Sequence, residues 1–160
     1  MNDDATWRQD PCLHEASHAA CAIALSRQVV HVEREQWHVL PGEQLGHCLA
    51  PIGERLELSQ VPLCLIGYLS EGRPGWPSPW PDCLDEPLEG LGRVLTVLGV
   101  DEEDYAALVA LTRDILADPD FRRLRDAIAR ALAAVPRLER EDIEALAAIY
   151  PISEESTCST

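Results

Sequence analysis

The chain has 160 residues, enough for one domain, and its 28 acidic against 13 basic residues leave a formal net charge of −15. All the basic residues are arginine, and a charge of that sign repels phosphate backbones and anionic lipids, which excludes nucleic acid and membrane surfaces as expected partners. Hydrophobic residues make up 46% but aromatics only 5%, so the core is expected to consist of Leu, Val, Ile and Ala.

The opening MNDDATWRQD is acidic where a secretory signal would be basic, and no apolar run reaches the ~18–20 residues of a membrane span. The six cysteines, Cys12, Cys21, Cys48, Cys64, Cys83 and Cys158, form no C-x-x-C pair. They are therefore expected to be reduced thiols of a cytoplasmic protein, with Cys21 and Cys64 as small core residues among apolar neighbours.

In chain order, Asp10 is an N-cap and Pro11 an N1 residue for a helix running from 12 to about 25. The β-branched alternation of VVHVER (29–34) predicts a strand that QWHVL (36–40) extends or pairs with. Pro41-Gly42 is a turn, and QLGHCLA (44–50) a second short strand. A helix follows at about 62–70, with Ser59 as its upstream cap. The stretch EGRPGWPSPWPDCLDEP (71–87) carries five prolines and both Trp76 and Trp80, which makes it a long stiff loop. Its tryptophans either pin the loop to the body or wall a cleft.

Four more helical segments complete the chain: 88–99 ending at Gly99, 101–117 opened by Asp101-Glu102-Glu103, 120–134 behind the Asp118-Pro119 cap, and 138–149 before Pro151. The fold class is α+β, mostly helical, with one small sheet near the N-terminus. A single domain spans 1–152, and 153–160 is a disordered tail.

Chemistry concentrates in the first helix, where His14-Glu15-Ala16-Ser17-His18 is an H-E-x-x-H. Residues four apart on a helix share a face, so both imidazoles can reach one Zn²⁺. Glu15 lies beside such a metal rather than on it, where a carboxylate can act as general base toward a metal-bound water. His31, His38 and His47, on or near strands, are structural or exposed residues and not metal ligands.

HEASHAACAIALSRQVVHVERE, followed by GEQLGHCLAP and LCLIGYLSEG, resembles the peptidase domain of the FtsH-type AAA+ zinc metalloproteases. The resemblance runs over roughly residues 10 to 150, and only the first fifth is specific. It implies a zinc-dependent endopeptidase acting on unfolded or flexible polypeptide, with Glu15 catalytic and His14 and His18 as ligands. The strand holding Leu45, Gly46 and His47 would bind the substrate backbone. The Gly67 to Glu71 spacing matches a G-x-x-x-E pattern in the family's next helix, and RLEREDIEALAAI resembles its closing helix.

The family's third ligand is an Asp at the start of a later helix. Asp85, before Pro87, is the first candidate here, with Asp82 and Glu86 as alternatives and Cys83 between them. Ser17 stands where the family has Gly. No G-x-x-x-x-G-K-[ST] is present, so the resemblance implies a peptidase domain without its own motor, working alone or with a separate ATPase or regulatory partner. Two rivals stay open. One is a non-catalytic regulatory or adaptor module on the same fold. The other is a small H-E-x-x-H peptidase cleaving a dedicated regulatory protein, with its third ligand at Glu102 or Glu103.

Overall fold

The computed structural model describes residues 10–36, 44–49, 58, 60–72 and 95–153. Their elements run α1 (Pro11–Ala24), β1 (His31–Gln36), β2 (Gln44–Leu49), α2 (Gln60–Ser70), α3 (Glu102–Ala117), α4 (Pro119–Ala134), β3 (Arg137–Glu139) and α5 (Arg140–Ile149). The molecule is α+β and mostly helical, with one small antiparallel sheet. None of these helices is long and apolar enough to cross a membrane.

α1 begins where its cap dictates. The Asp10 carboxylate accepts from the backbone N–H groups of Cys12 at 3.0 Å and Leu13 at 3.2 Å, with Pro11 behind it. Ala16, Ala19, Ala20 and Ala22 are fully buried. Such small side chains let neighbours approach α1 closely, so α4, α2 and both long strands pack around it. α1 ends in a Schellman turn: Ser26 takes a left-handed φ of 56°, and the Arg27 N–H donates to the Ala22 carbonyl at 2.7 Å.

Two apolar clusters hold the helices. The larger joins α1, Val32 of β1, Phe121, Leu124, Ile128 and Leu132 of α4, Leu138 and Ile143. The smaller joins Val61 and Leu65 of α2 to Leu95, Val100, Tyr105 and Val109. α2 bridges them, since Ile66 belongs to the first and Leu65 to the second. Its axis is thereby fixed against α1 on one side and α3 on the other.

The sheet order is β2-β1-β3, with β1 antiparallel to both neighbours. β1 pairs with β2 from His31↔Leu49 to Gln36↔Gln44, and with β3 from His31↔Glu139 to Glu33↔Arg137. β3 corrects the expectation of a helix from 138. Val135 is extended (φ −133°, ψ 141°) and Pro136 follows, so α4 cannot run on. The Pro136 carbonyl accepts from the Arg34 N–H at 2.7 Å, and Leu138 turns inward between the exposed Arg137 and Glu139. Three residues of alternation among good helix formers are too short to stand out in a sequence. The helix starts two residues later, at Arg140.

Elsewhere the expected elements stand within two residues of their observed ends. β1 starts at His31 rather than Val29, and α2 at Gln60 rather than Pro62. The caps of α3 and α4 are Asp101, accepting from Asp104 N–H at 2.9 Å, and Asp118, accepting from Phe121 N–H at 2.8 Å. Leu95–Leu98 are helical and stop at Gly99, whose φ is +64°. The rest of the expected 88–99 helix, the Pro41-Gly42 turn, the Pro/Trp loop beyond Gly72 and the tail beyond Ser153 lie outside the described residues. Among the cysteines, Cys12, Cys21 and Cys64 are free thiols, with Cys12 and Cys21 buried.

Candidate metal centre

The site is built by two antiparallel stripes of residues four apart. α1 contributes His14 and His18. α2 contributes Leu63, Gly67 and Glu71, the last just past its end, and each plays a different part. The Leu63 carbonyl sits 2.7 Å from His18 Nδ1, and a Glu71 carboxylate oxygen 2.7 Å from His14 Nδ1. A carbonyl can only accept, so His18 carries its proton on Nδ1. The Glu71 carboxylate likewise accepts from Nδ1–H of His14. Both rings are therefore fixed in the tautomer that leaves a lone pair on Nε2.

Those two Nε2 atoms face each other at 3.1 Å. Two nitrogens on one tetrahedral zinc at ~2.0–2.1 Å stand ~3.3 Å apart, so the pair fits a shared divalent cation. Gly67 supplies the space: a Cβ there would lie 2.4 Å from His18 Nε2 and 2.7 Å from His14 Nε2. Only a bare Cα lets α2 lie this close to both rings. Tyr68 completes the frame, meeting the His14 ring edge-on with centroids 4.9 Å apart.

Burial sets the protonation states. It pushes His18 down from 6.5 to about 4, with repulsion from His14 acting the same way and the Leu63 carbonyl opposing. The imidazole is thus neutral and able to ligate at neutral pH. Glu15, 5% exposed, has one carboxylate oxygen 3.9 Å from His14 Nε2. Burial raises its carboxyl from 4.5 to about 7, attraction to His14 draws it down and repulsion from Glu71 adds to the rise. An acid poised there exchanges protons readily near neutral pH. Ser17, between the two histidines, is fully buried and donates its hydroxyl to the Leu13 carbonyl at 2.7 Å, so it brings no unsatisfied group into the helix.

No group of three or more His, Cys, Asp or Glu side chains converges on one point among the described residues. Glu102 and Glu103 are exposed in the first turn of α3, where they suit the helix dipole, and are not brought to the histidines. Asp82, Asp85, Glu86 and Cys83 lie outside the described residues. The strand carrying Leu45, Gly46 and His47 is β2, an edge of the described sheet that packs beside α1.

The chain matches no protein-family model, no curated protein and no solved structure.

Sequence reasoning brought out the Gly67 to Glu71 spacing but not what those residues do. The available signal was the opposition of two four-residue periods, 14/18 against 63/67/71, with a glycine where the stripes meet. The parts of Leu63, through its backbone, and of Tyr68 had no sequence signal.

Proposed function

We propose that the chain is a zinc-dependent peptidase of the FtsH type, hydrolysing peptide bonds in unfolded or flexible polypeptide. The observation that carries this is the pair of Nε2 lone pairs held 3.1 Å apart by two Nδ1 hydrogen bonds of 2.7 Å, with the Glu15 carboxylate beside them. Two imidazoles with a further carboxylate from 82–86 would be a donor set that suits zinc, with Glu15 beside it as the base.

Bound zinc supplies a Lewis acid and brings the pKa of water toward ~7. Everything else falls to the chain. His14 and His18 would hold the ion, and an acidic residue of 82–86 would complete the site, Asp85 first and Asp82 or Glu86 otherwise. Glu15 takes the proton of the attacking water and returns it to the leaving amine. The edge of β2 at Leu45, Gly46 and His47 pairs with an extended substrate backbone. Glu71 and Leu63 keep the rings in register, and a separate ATPase or regulatory protein delivers folded substrates.

A regulatory module on the same fold has no use for a buried carboxyl poised at about 7, whereas a hydrolase does. Metal per chain by elemental analysis tests the proposal, on wild type, His14→Ala, Asp82→Asn and Asp85→Asn. About one zinc in wild type, lost in His14→Ala and in one Asp variant, is expected. Zinc absent from wild type after supplementation ends the proposal. Peptide hydrolysis lost in Glu15→Gln with zinc retained separates enzyme from adaptor.

A further inference from the structure

β1 places an arginine on the inner side of the sheet. Side chains alternate along a strand, so Arg34 shares its face with Val32, which is fully buried in the core that α1 builds. Its Nη1 donates to the Cys12 thiol sulfur at the start of α1, 3.8 Å away, and its Nε is buried without a hydrogen-bond partner. A thiol is a weak, uncharged acceptor. No carboxylate meets this guanidinium among the described residues, in a chain whose net charge is −15. Arginine keeps its charge in any surroundings, and a buried donor left unmet costs free energy. Arg34 as a whole is only half-buried, so an anion can still reach it.

Arg34 pairs directly across the sheet with Gly46 of β2. Directly paired residues point their side chains to the same face, and glycine has none. β2 therefore interposes no side chain between Arg34 and a chain lying along its far edge. The residue of such a chain opposite Gly46 would stand two strand spacings, about 9.5 Å, from Arg34. An arginine and a glutamate or aspartate side chain together span that distance. Along α1, Cys12 stands two residues, ~3 Å, from His14 and on the opposite face of a helix ~10 Å across. At ~3.3 Å per residue of extended chain, the bond presented to the histidines is about three residues from the residue presented to Arg34.

We infer that Arg34 is a specificity-determining residue, which selects extended polypeptide with an aspartate or glutamate opposite Gly46. The inference rests on the peptidase reading above, in which the substrate backbone pairs with β2. Backbone pairing is blind to side chains, and Arg34 adds the selection through a charge-assisted pair with the substrate carboxylate.

Fluorescence anisotropy on the full chain carrying Glu15→Gln, so that peptide is not consumed, tests this at ~0.15 M salt. The probes are fluorescein-labelled peptides of alternating valine and serine with one central residue, glutamate, glutamine or arginine. The glutamate peptide should bind about tenfold or more tighter than the glutamine peptide, with arginine weakest. The net charge of −15 predicts the reverse order, so a preference for glutamate cannot come from bulk attraction. The glutamate-to-glutamine ratio should fall to about one in Arg34→Met, which keeps an apolar stem, and in Gly46→Val, which leaves Arg34 in place and fills the gap. A merely structural Arg34 would change the affinity for all three peptides alike. If Arg34→Met does not fold, Gly46→Val decides. Equal binding of the glutamate and glutamine peptides, tightest binding of the arginine peptide, a preference that survives the variants, or no binding at all overturns the inference. Zinc-loaded wild type that cleaves all three peptides equally also overturns it and leaves the peptidase reading standing. Arg34-dependent binding of the glutamate peptide with none of the three cleaved does the opposite.

Discussion

Replacing Gly67 by alanine gives the sharpest test of how the two histidines are held. In an ordinary helix interior that change stabilises by ~0.5–1 kcal/mol, because glycine has the larger conformational freedom to lose. Here the new methyl would sit 2.4 Å from His18 Nε2 and 2.7 and 2.8 Å from His14 Nε2 and Cε1, about 1 Å inside ordinary contact. The rings cannot turn aside freely, since each is tied through Nδ1 to the same helix that carries the methyl, at Leu63 and Glu71. α2 must therefore move away from α1, stretching both hydrogen bonds and loosening Ile66 from the core. Overpacking of this kind costs about 1–3 kcal/mol, and a weakened bond to a charged group about 1.5–3 kcal/mol. Set against the helix gain, a net loss of about 2–5 kcal/mol remains, or roughly 5–20 °C in Tm for a chain of this size. Thermal unfolding of the metal-free protein reads the stability, and zinc titration with a chelating dye reads the site, where affinity should fall at least about tenfold. A Gly67→Ala protein as stable as wild type, or more so, with zinc affinity intact would refute the idea that Gly67 makes room for the paired rings.

Glu15→Gln tests the raised carboxyl. The folded protein holds its proton more tightly than the unfolded chain, so this group favours folding below pH 4.5, and that advantage is lost as pH rises through about 7. The variant should therefore gain on metal-free wild type with rising pH, by an upper value of about 3 kcal/mol at pH 8, in urea unfolding across pH 5–8. His18 acts in the opposite sense, since its folded value is depressed from 6.5 to about 4. With Glu15 removed, stability should drop as pH falls from 6.5 toward 4, and a flat profile there would count against a buried neutral His18. Ser26→Gly relieves a left-handed serine at the end of α1 and should stabilise by about 0.5–1 kcal/mol in the same assay. Leu138→Ala, at a position 4% exposed opposite Val32, should cost about 2–4 kcal/mol, and a smaller loss would mean that β3 adds little to the sheet.

Much of this architecture is written locally, and what is local was legible. Asp10-Pro11, Asp101 and Asp118-Pro119 each announce a helix by a side chain that reaches its own first turn, with no help from the rest of the fold. The H-E-x-x-H is legible for the same reason, since four residues on one helix fix which groups share a face. β3 was not legible, because its strand character comes from Arg34 and Val32 across the sheet, more than a hundred positions away. The part played by Leu63 rests on a carbonyl, which every residue has, and so leaves no mark in a sequence. Gly67 and Glu71 fall between these cases. Their spacing was visible, but its meaning needed the histidines set opposite.

The pairing of β1 with β3 sets when, during synthesis, the histidine helix can be complete. α1 lies near the start of the chain, yet much of its apolar surface is covered by α4, and the strand beside it gains its second partner only at Arg137–Glu139. A nascent chain that has exposed the H-E-x-x-H but not residue 139 has no finished hydrophobic seat for it. The pairing of the two histidines thus waits on residues 121–143, and on a nascent chain α1 would stay without its full apolar seat until those residues had emerged.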